Sequence, residues 1–323
     1  MTPPARKEKE QPRFVLLLST DTELAATDIA DYALEALAKS NVKNIYVLGR
    51  RGPAQAAFSS PEIRELGEME AVDMIVAPED ADLDALSAEE VLKGNDRTAE
   101  RNIQVLTRYS TTPPTGKPRR IIMRFLVSPV EIIGTERVEA IKLVKNELYR
   151  DNKGNLKARA TDETETIPCG LVFRSVGYKG VALPGVPFDE NAGVIPNIEG
   201  RVVTAAENGQ RVIGDYVVGW IKRGPSGIIG TNKPDSVATV EKLLEDMKAE
   251  KLLTPTTPSR AALESLLRER GITVVTYADW QVLDALEIER GEALGRPRLK
   301  ISRVDEMLAA LAERQAQPNP TGD

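Results

Sequence analysis

The chain has 323 residues, 41% of them hydrophobic and 4% aromatic, with a formal net charge of −6. That is enough apolar material for roughly two domains, and the acidic balance argues against a nucleic-acid-binding protein, which needs clustered excess lysine and arginine. Histidine is absent and cysteine occurs once, at Cys169, which excludes histidine-based nucleophilic triads, histidine or thiolate metal sites and an internal disulfide framework. Acid–base work then falls to carboxylates, lysine or tyrosine, or a cofactor supplies the chemistry. No apolar run approaches the roughly 18 residues of a membrane span, and the lone cysteine fits a reducing cytoplasm.

In chain order, residues 1–12 read as a disordered polar tail without the apolar core of a signal peptide. Phe14–Leu18 is a short apolar run. Thr22 or Thr27 is expected to cap a helix whose apolar stripe is Ile29, Ala33, Ala36 and Leu37. Ile45–Leu48 predicts a buried strand, Pro61–Met69 a helix and Val72–Val76 a second strand. Ser87 with Glu90 has the spacing of a capping box. This alternation predicts a parallel sheet with helices on its faces. After a turn at Thr111–Pro118, strand-like runs at Ile121–Phe125, Val138–Leu143 and Leu156–Ala160 suggest an antiparallel layer, with a turn at Asp151–Gly154. Ile167–Ser175 reads as a central strand and Val181–Val202 as irregular. Tyr216–Val218 predicts a short strand, followed by a helix from near Pro234 to about Lys251. Beyond Thr254–Pro258 come a helix (Ser259–Arg270), a short strand (Ile272–Val275) and a closing helix (Val304–Arg314). Asp215 reads as a turn residue before its strand, and Cys169 as a packing residue.

Two places carry chemistry. The strand Ile45–Leu48 ends in Gly49-Arg50-Arg51, where a dinucleotide fold reads the adenosine ribose. Arginine there accommodates a 2′-phosphate, so the pair points to NADP, with Glu62 placed to reach a ribose hydroxyl or orient an arginine. The alternative is a solvated basic loop, with Glu62 merely favourable at a helix start. The second place is Gly219–Ser236, where an apolar run breaks into Gly224, Gly227 and Gly230 before a helix opens. Such a junction exposes backbone N–H groups to an anionic or dinucleotide ligand. Trp220 adds a stacking surface, and Lys222 and Arg223 add positive charge. The phosphate-binding Gly-x-Gly-x-x-Gly loop is missing ahead of Arg50, where Gly49 is the only glycine.

Thr27–Asp31, Val47–Phe58, Val176–Tyr178, Gly185–Asp189 and Gly219–Lys233, in this order, resemble the adrenodoxin reductase-like ferredoxin–NADP reductases from about Phe14 to the C-terminal helix. The resemblance implies an α/β fold. An incomplete NADP-binding Rossmann-like domain (13–170) would be followed by the C-terminal half of a glutathione-reductase-like FAD domain with a helical tail (171–323). It implies that Arg50 and Arg51 bind the NADP 2′-phosphate, that Glu62 contacts NADP, and that Trp220, Gly227, Ile228 and Ile229 line FAD. The flavin would pass electrons from NADPH to a ferredoxin-type iron–sulfur carrier in the cytoplasm, with no protein side chain acting as acid, base or metal ligand. Lys222, Arg223 and Lys233 could steer that acidic carrier, although solvated surface charge is the plainer reading. Relative to the family, the first half of the FAD domain and the first strand and phosphate loop of the NADP domain are absent. A non-catalytic fragment, or a subunit completed by a separate N-terminal half, is therefore the alternative expectation.

Overall fold

The computed structural model describes residues 17–94, 97–226 and 229–316. The expected tail 1–12 and the start of the Phe14–Leu18 run lie outside them. The fold is mixed α/β and divides into two compact units, one running through Val172 and resuming at Val275, the other spanning Phe173–Val274. The expected boundary at 170 falls beside this division, whereas the expected second domain also took in the segment from Val275 onward.

The first unit begins with α1 (Asp21–Ala25), capped by Thr20 in a reciprocal box with Glu23. Thr22 does not cap it. Thr27 instead closes its far end, donating its hydroxyl to the Leu24 carbonyl at 2.7 Å. Helix α2 (Asp31–Ala38) starts after Ala30 without a side-chain cap and buries none of its residues, so the expected stripe stays at the surface. Strand β1 (Asn44–Leu48), a 3-10 turn (Pro53–Gln55), α3 (Ser60–Gly67), β2 (Val72–Val76) and the short α4 (Pro78–Ala81) follow. Helix α5 (Ala85–Lys93) is capped by Asp84, which accepts the Leu86 and Ser87 N–H groups, each at 3.0 Å. Ser87 is the buried third residue of that helix, not its cap, because an ionised Asx side chain stands nearer its start.

Helix α6 (Arg97–Ser110) has no counterpart in the sequence reading. Its inward face includes the buried amide Asn102 beside Leu106, which breaks the apolar periodicity. Strand β3 (Arg119–Arg124) lies between β1 and β2 and pairs parallel with both. The run expected to open an antiparallel layer thus forms the middle of the parallel sheet. Its approach is fixed by Asp73 of β2, a buried carboxylate that accepts the N–H groups of Thr115, Gly116 and Lys117 and the Thr115 hydroxyl. Burial pushes the Asp73 carboxyl up, but these donors outweigh it and hold it below the usual value. The antiparallel layer consists of β4 (Val127–Ile133), β5 (Ala140–Arg150) and β6 (Leu156–Pro168), with β5 in the middle. Asp151 closes the β5–β6 turn by accepting the Lys153 and Asn155 N–H groups, each at 2.9 Å.

Pro168 ends β6, and residues 169–188, which lead into the second unit, carry no regular helix or strand. Of the expected central strand at Ile167–Ser175 only Ile167 and Pro168 are strand, as the end of β6, paired with Ile141 and Ala140; no strand among the described residues pairs with the rest. A small antiparallel sheet of β7 (Asn197–Ile198), β8 (Arg201–Val203) and β9 (Arg211–Tyr216) follows. Asp215 lies inside β9, and β9 stops before Val217 and Val218. One helical turn, α7 (Trp220–Arg223), leads toward α8 (Ile229–Lys248), which starts earlier than expected and includes Pro234. Pro234, the sixth residue of the helix, leaves the Gly230 carbonyl without its helical donor and crowds it. Helix α9 (Arg260–Glu269) is capped by Ser259.

The chain returns to the first unit through an irregular segment in place of the expected strand Ile272–Val275, then forms α10 (Tyr277–Glu292) and α11 (Val304–Ala316). Helix α10 was not anticipated. This return is anchored on the Thr27–Asp31 segment. Arg296, nearly buried, donates to the Thr27 carbonyl at 3.1 Å and to the Ile29 carbonyl, and pairs with Asp31 at 2.5 Å. Lys300 pairs with Asp28 at 2.7 Å.

Candidate functional site: a basic strand end and a glycine-rich bend

In the first unit, β1 runs into Gly49 at the C-terminal edge of the parallel sheet, the edge at which open α/β sheets receive ligands. Gly49 is a steric requirement: a Cβ there would meet the Phe125 ring at 2.8 Å. Its N–H donates to the Arg124 carbonyl at 2.7 Å, and its carbonyl accepts from Val127. The next two residues are held by their backbones. The buried Asn146 amide donates to the Arg50 carbonyl at 2.9 Å, and Leu126 N–H donates to the Arg51 carbonyl at 3.1 Å. Both guanidinium groups are exposed and have no acidic partner among the described residues. Fixed backbone and free cations suit a phosphate ligand.

Glu62 is the third residue of α3. Its Oε2 accepts the Ser59 N–H at 2.6 Å in a capping box, so one carboxylate oxygen is already committed. The sequence reading missed a basic face nearby: Arg97, Arg101 and Arg108 share the outward side of α6, opposite Leu106. Arg101 also lines a cavity of about 420 Å³ with Ser60, Arg64, Gln104 and Val105. Spacings of four and seven residues could have revealed that face in the sequence had α6 been recognised as a helix.

In the second unit, Gly219 turns the chain with φ 72° and ψ −151°, a conformation open essentially to glycine alone. Trp220 follows, 39% exposed, its ring stacked on Tyr178 at 5.9 Å between centroids. Lys222 does not point to solvent. Its ammonium pairs with Asp235 at 2.9 Å and donates to the Thr239 hydroxyl at 3.0 Å, with both members of the pair largely buried. Burial pushes the Asp235 carboxyl up, but Lys222 and the Gly219 N–H outweigh it and hold it below the ordinary carboxylate value. Arg223 turns onto Ser226, Thr231 and Asn232. Of the three expected steering cations, Lys233 alone stays exposed with no ion pair among the described residues. Gly227 and Ile228 lie outside the described residues. Ile229 opens α8, and a Cβ placed on Gly230 would meet nothing, so open space adjoins the helix start.

No family model matches the chain. The NADPH-ferredoxin reductase FprA of Mycobacterium tuberculosis is 43% identical to it over 297 residues, covering 91% of this chain and 63% of that protein. The chain is a homologue of this reductase. The mitochondrial NADPH:adrenodoxin oxidoreductase of Homo sapiens is 37% identical over 308 residues, covering 92% of the chain and 60% of that protein. The solved structure of Mycobacterium tuberculosis FprA in complex with NADPH superposes with a TM-score of 0.81 at 40% identity, over 92% of the chain and 64% of the solved one. The chain therefore spans somewhat less than two thirds of the length of these relatives, and it shares the fold of FprA over nearly all of its own.

Proposed function

We propose that this chain carries the NADPH-reading face and part of the flavin wall of a reductase that passes electrons to a ferredoxin-type iron–sulfur protein. The observation that carries the reading is the pair Arg50 and Arg51, held by backbone at the end of β1 and free of acidic partners among the described residues, in a homologue of NADPH-ferredoxin reductases. In this reading the first unit holds an incomplete Rossmann-like NADP domain, and the second holds the C-terminal half of a glutathione-reductase-like FAD domain. Arg50 and Arg51 grip the 2′-phosphate bidentately. Glu62 stiffens the start of α3 and offers its second oxygen to the nucleotide. Trp220 belongs to the flavin-facing wall, and the family resemblance assigns Gly227, Ile228 and Ile229 to the same role. FAD, when bound, converts a two-electron donor into two one-electron steps. Helix α6 presents Arg97, Arg101 and Arg108 to the acidic carrier, a role for which Lys222, turned inward onto Asp235, is poorly placed. No described helix is long and apolar enough to cross a membrane.

Calorimetric titration of the full chain tests the first step. Wild type should bind 2′,5′-ADP and discriminate against 5′-AMP. Replacing Arg50 or Arg51 by alanine should weaken 2′,5′-ADP binding roughly 10- to 100-fold, as expected for a lost hydrogen bond to a charged group. Equal affinity of the wild type for the two nucleotides would remove the NADP reading.

A second reading, in which a separate polypeptide completes the flavin site, is favoured by one observation. Val237, Val240, Leu244 and Met247 form an apolar stripe along α8, each 42–53% exposed. Phe173, Val176, Tyr178 and Val181 are exposed as well. Contiguous apolar surface of this kind marks an interface. Flavin retention by the purified chain alone, seen in its absorbance spectrum, would exclude this second reading.

A further inference from the structure

We propose that Asp235 and Lys222 are positioning residues: their ion pair fixes the Gly219–Trp220 bend and so sets the attitude of the Trp220 indole. The catalytic meaning of this role rests on the flavin-wall reading above, and its geometry does not.

Helix α7 is a single turn of four residues, far too short to persist without tertiary support. Its supports converge from two elements. From α8, Asp235 Oδ2 accepts the Gly219 N–H at 2.6 Å, just where the backbone adopts its glycine-only conformation. Asp235 Oδ1 meets the Lys222 ammonium at 2.9 Å, and Thr239, one turn further along α8, accepts from the same ammonium at 3.0 Å. From β7, the Asn197 amide donates to the Lys222 carbonyl at 2.9 Å. Trp220 lies between the two clamped residues. Its only ring contact among the described residues is Tyr178, itself 73% exposed. With a single, exposed aromatic neighbour, the indole takes its direction in large part from the backbone bend.

Two plainer accounts fit less well. A solvated lysine would extend into water, yet the Lys222 side chain is 13% exposed and the Asp235 side chain 11%. A carboxylate placed only to offset the helix dipole belongs in the first turn, whereas Asp235 is the seventh residue of α8. Removing either partner strands a buried charge and frees the bend.

The test uses the full chain, whose two tryptophans are Trp220 and Trp280. In a Trp280→Phe background, Trp220 is the sole indole reporter and no flavin is needed. Asp235→Asn and Lys222→Met should shift its emission to the red and raise its quenching by acrylamide, while Lys222→Arg, which keeps the pair, should restore the parent signal. In the matching Trp220→Phe background, Trp280 emission should not move with any of these substitutions. Unchanged Trp220 signals in Asp235→Asn and Lys222→Met would overturn the proposal, as would Trp280 shifting in parallel, which would report general loss of fold. FAD added to the parent reads the other question separately: a Trp220 signal that FAD leaves unquenched counts against the flavin wall, while the role of the pair stands on the apo measurements.

Discussion

Around β3, the side chains of Leu18, Ile63, Val72, Leu106, Ile121 and Met123 leave almost no surface to water, and helices and a parallel sheet enclose them together. In the second unit the buried apolar cluster consists of Ile195, Val202 and Val217, with half-buried neighbours such as Phe188 and Ile221. Charge does more of the organising there. Asp246 of α8 accepts from Arg201 at 2.7 Å, from the Tyr216 hydroxyl at 2.7 Å and from Arg211, tying α8 to β8 and β9. Those donors hold its carboxyl far below the usual range. Apolar burial is non-directional, whereas a buried ionic network is stable only in the geometry that satisfies it. The difference teaches that the first unit adds a large apolar area to its polar anchors, while the second, with a smaller apolar cluster, leans more on specific polar contacts, among them those that fix the bend at Gly219.

Four measurements sharpen or break that contrast, the first two read through Trp280 for the first unit and Trp220 for the second. The largest effect should come from Ile121→Ala. It empties a fully buried site in the middle of the sheet and should cost about 2–5 kcal/mol in urea unfolding followed at Trp280. The matching truncation Val217→Ala, followed at Trp220, should cost only about 1–2 kcal/mol. Equal losses would mean the second unit has a core as effective as the first.

A smaller effect, confined to acid, is expected at the β5–β6 turn. The Asn155 N–H, with Asn155 and Lys153 contacts, holds the Asp151 carboxyl at about 2 against an ordinary 3.8. A carboxylate with a lowered folded pKa stabilises the fold above its unfolded value, and that contribution disappears as pH falls from about 3.8 toward about 2. Thermal melts should therefore show Asp151→Asn flattening the acid dependence in this window. An unaltered acid limb would show that the turn carries no such linkage.

The smallest effect at neutral pH should be that of Leu244→Asp on the exposed face of α8, within about 0.5 kcal/mol for the isolated chain. A loss of several kcal/mol would show that this stripe is covered in solution.

Much of the fold was legible because it follows local rules. The Val72–Val76 strand stands as read, β1 begins one residue before the expected start, and the Thr111–Pro118 and Asp151–Gly154 turns announce themselves by composition. Helix α6 was not legible, since its inward face includes an amide where the 3.6-residue period calls for an apolar side chain. The segment after Pro168 misled in the opposite direction: its apolar run promises a strand, but a strand exists only when a neighbour accepts its hydrogen bonds. Of the candidate site, Arg50, Arg51 and Trp220 could be found from spacing beside a strand end and a glycine-rich break. The roles of Asp235, Asn146 and Arg296 could not, because each acts on residues distant in the chain.

By itself the sequence determined the α/β character, the cationic strand end and the glycine-rich bend, since these depend on residue type and short-range periodicity. Only the tertiary structure decided that β3 runs parallel between β1 and β2, that the segment after Val275 returns to the first unit on Arg296 and Lys300, and that Lys222 turns inward to Asp235. Those outcomes depend on which donors and acceptors meet across long chain separations, and no local pattern encodes that.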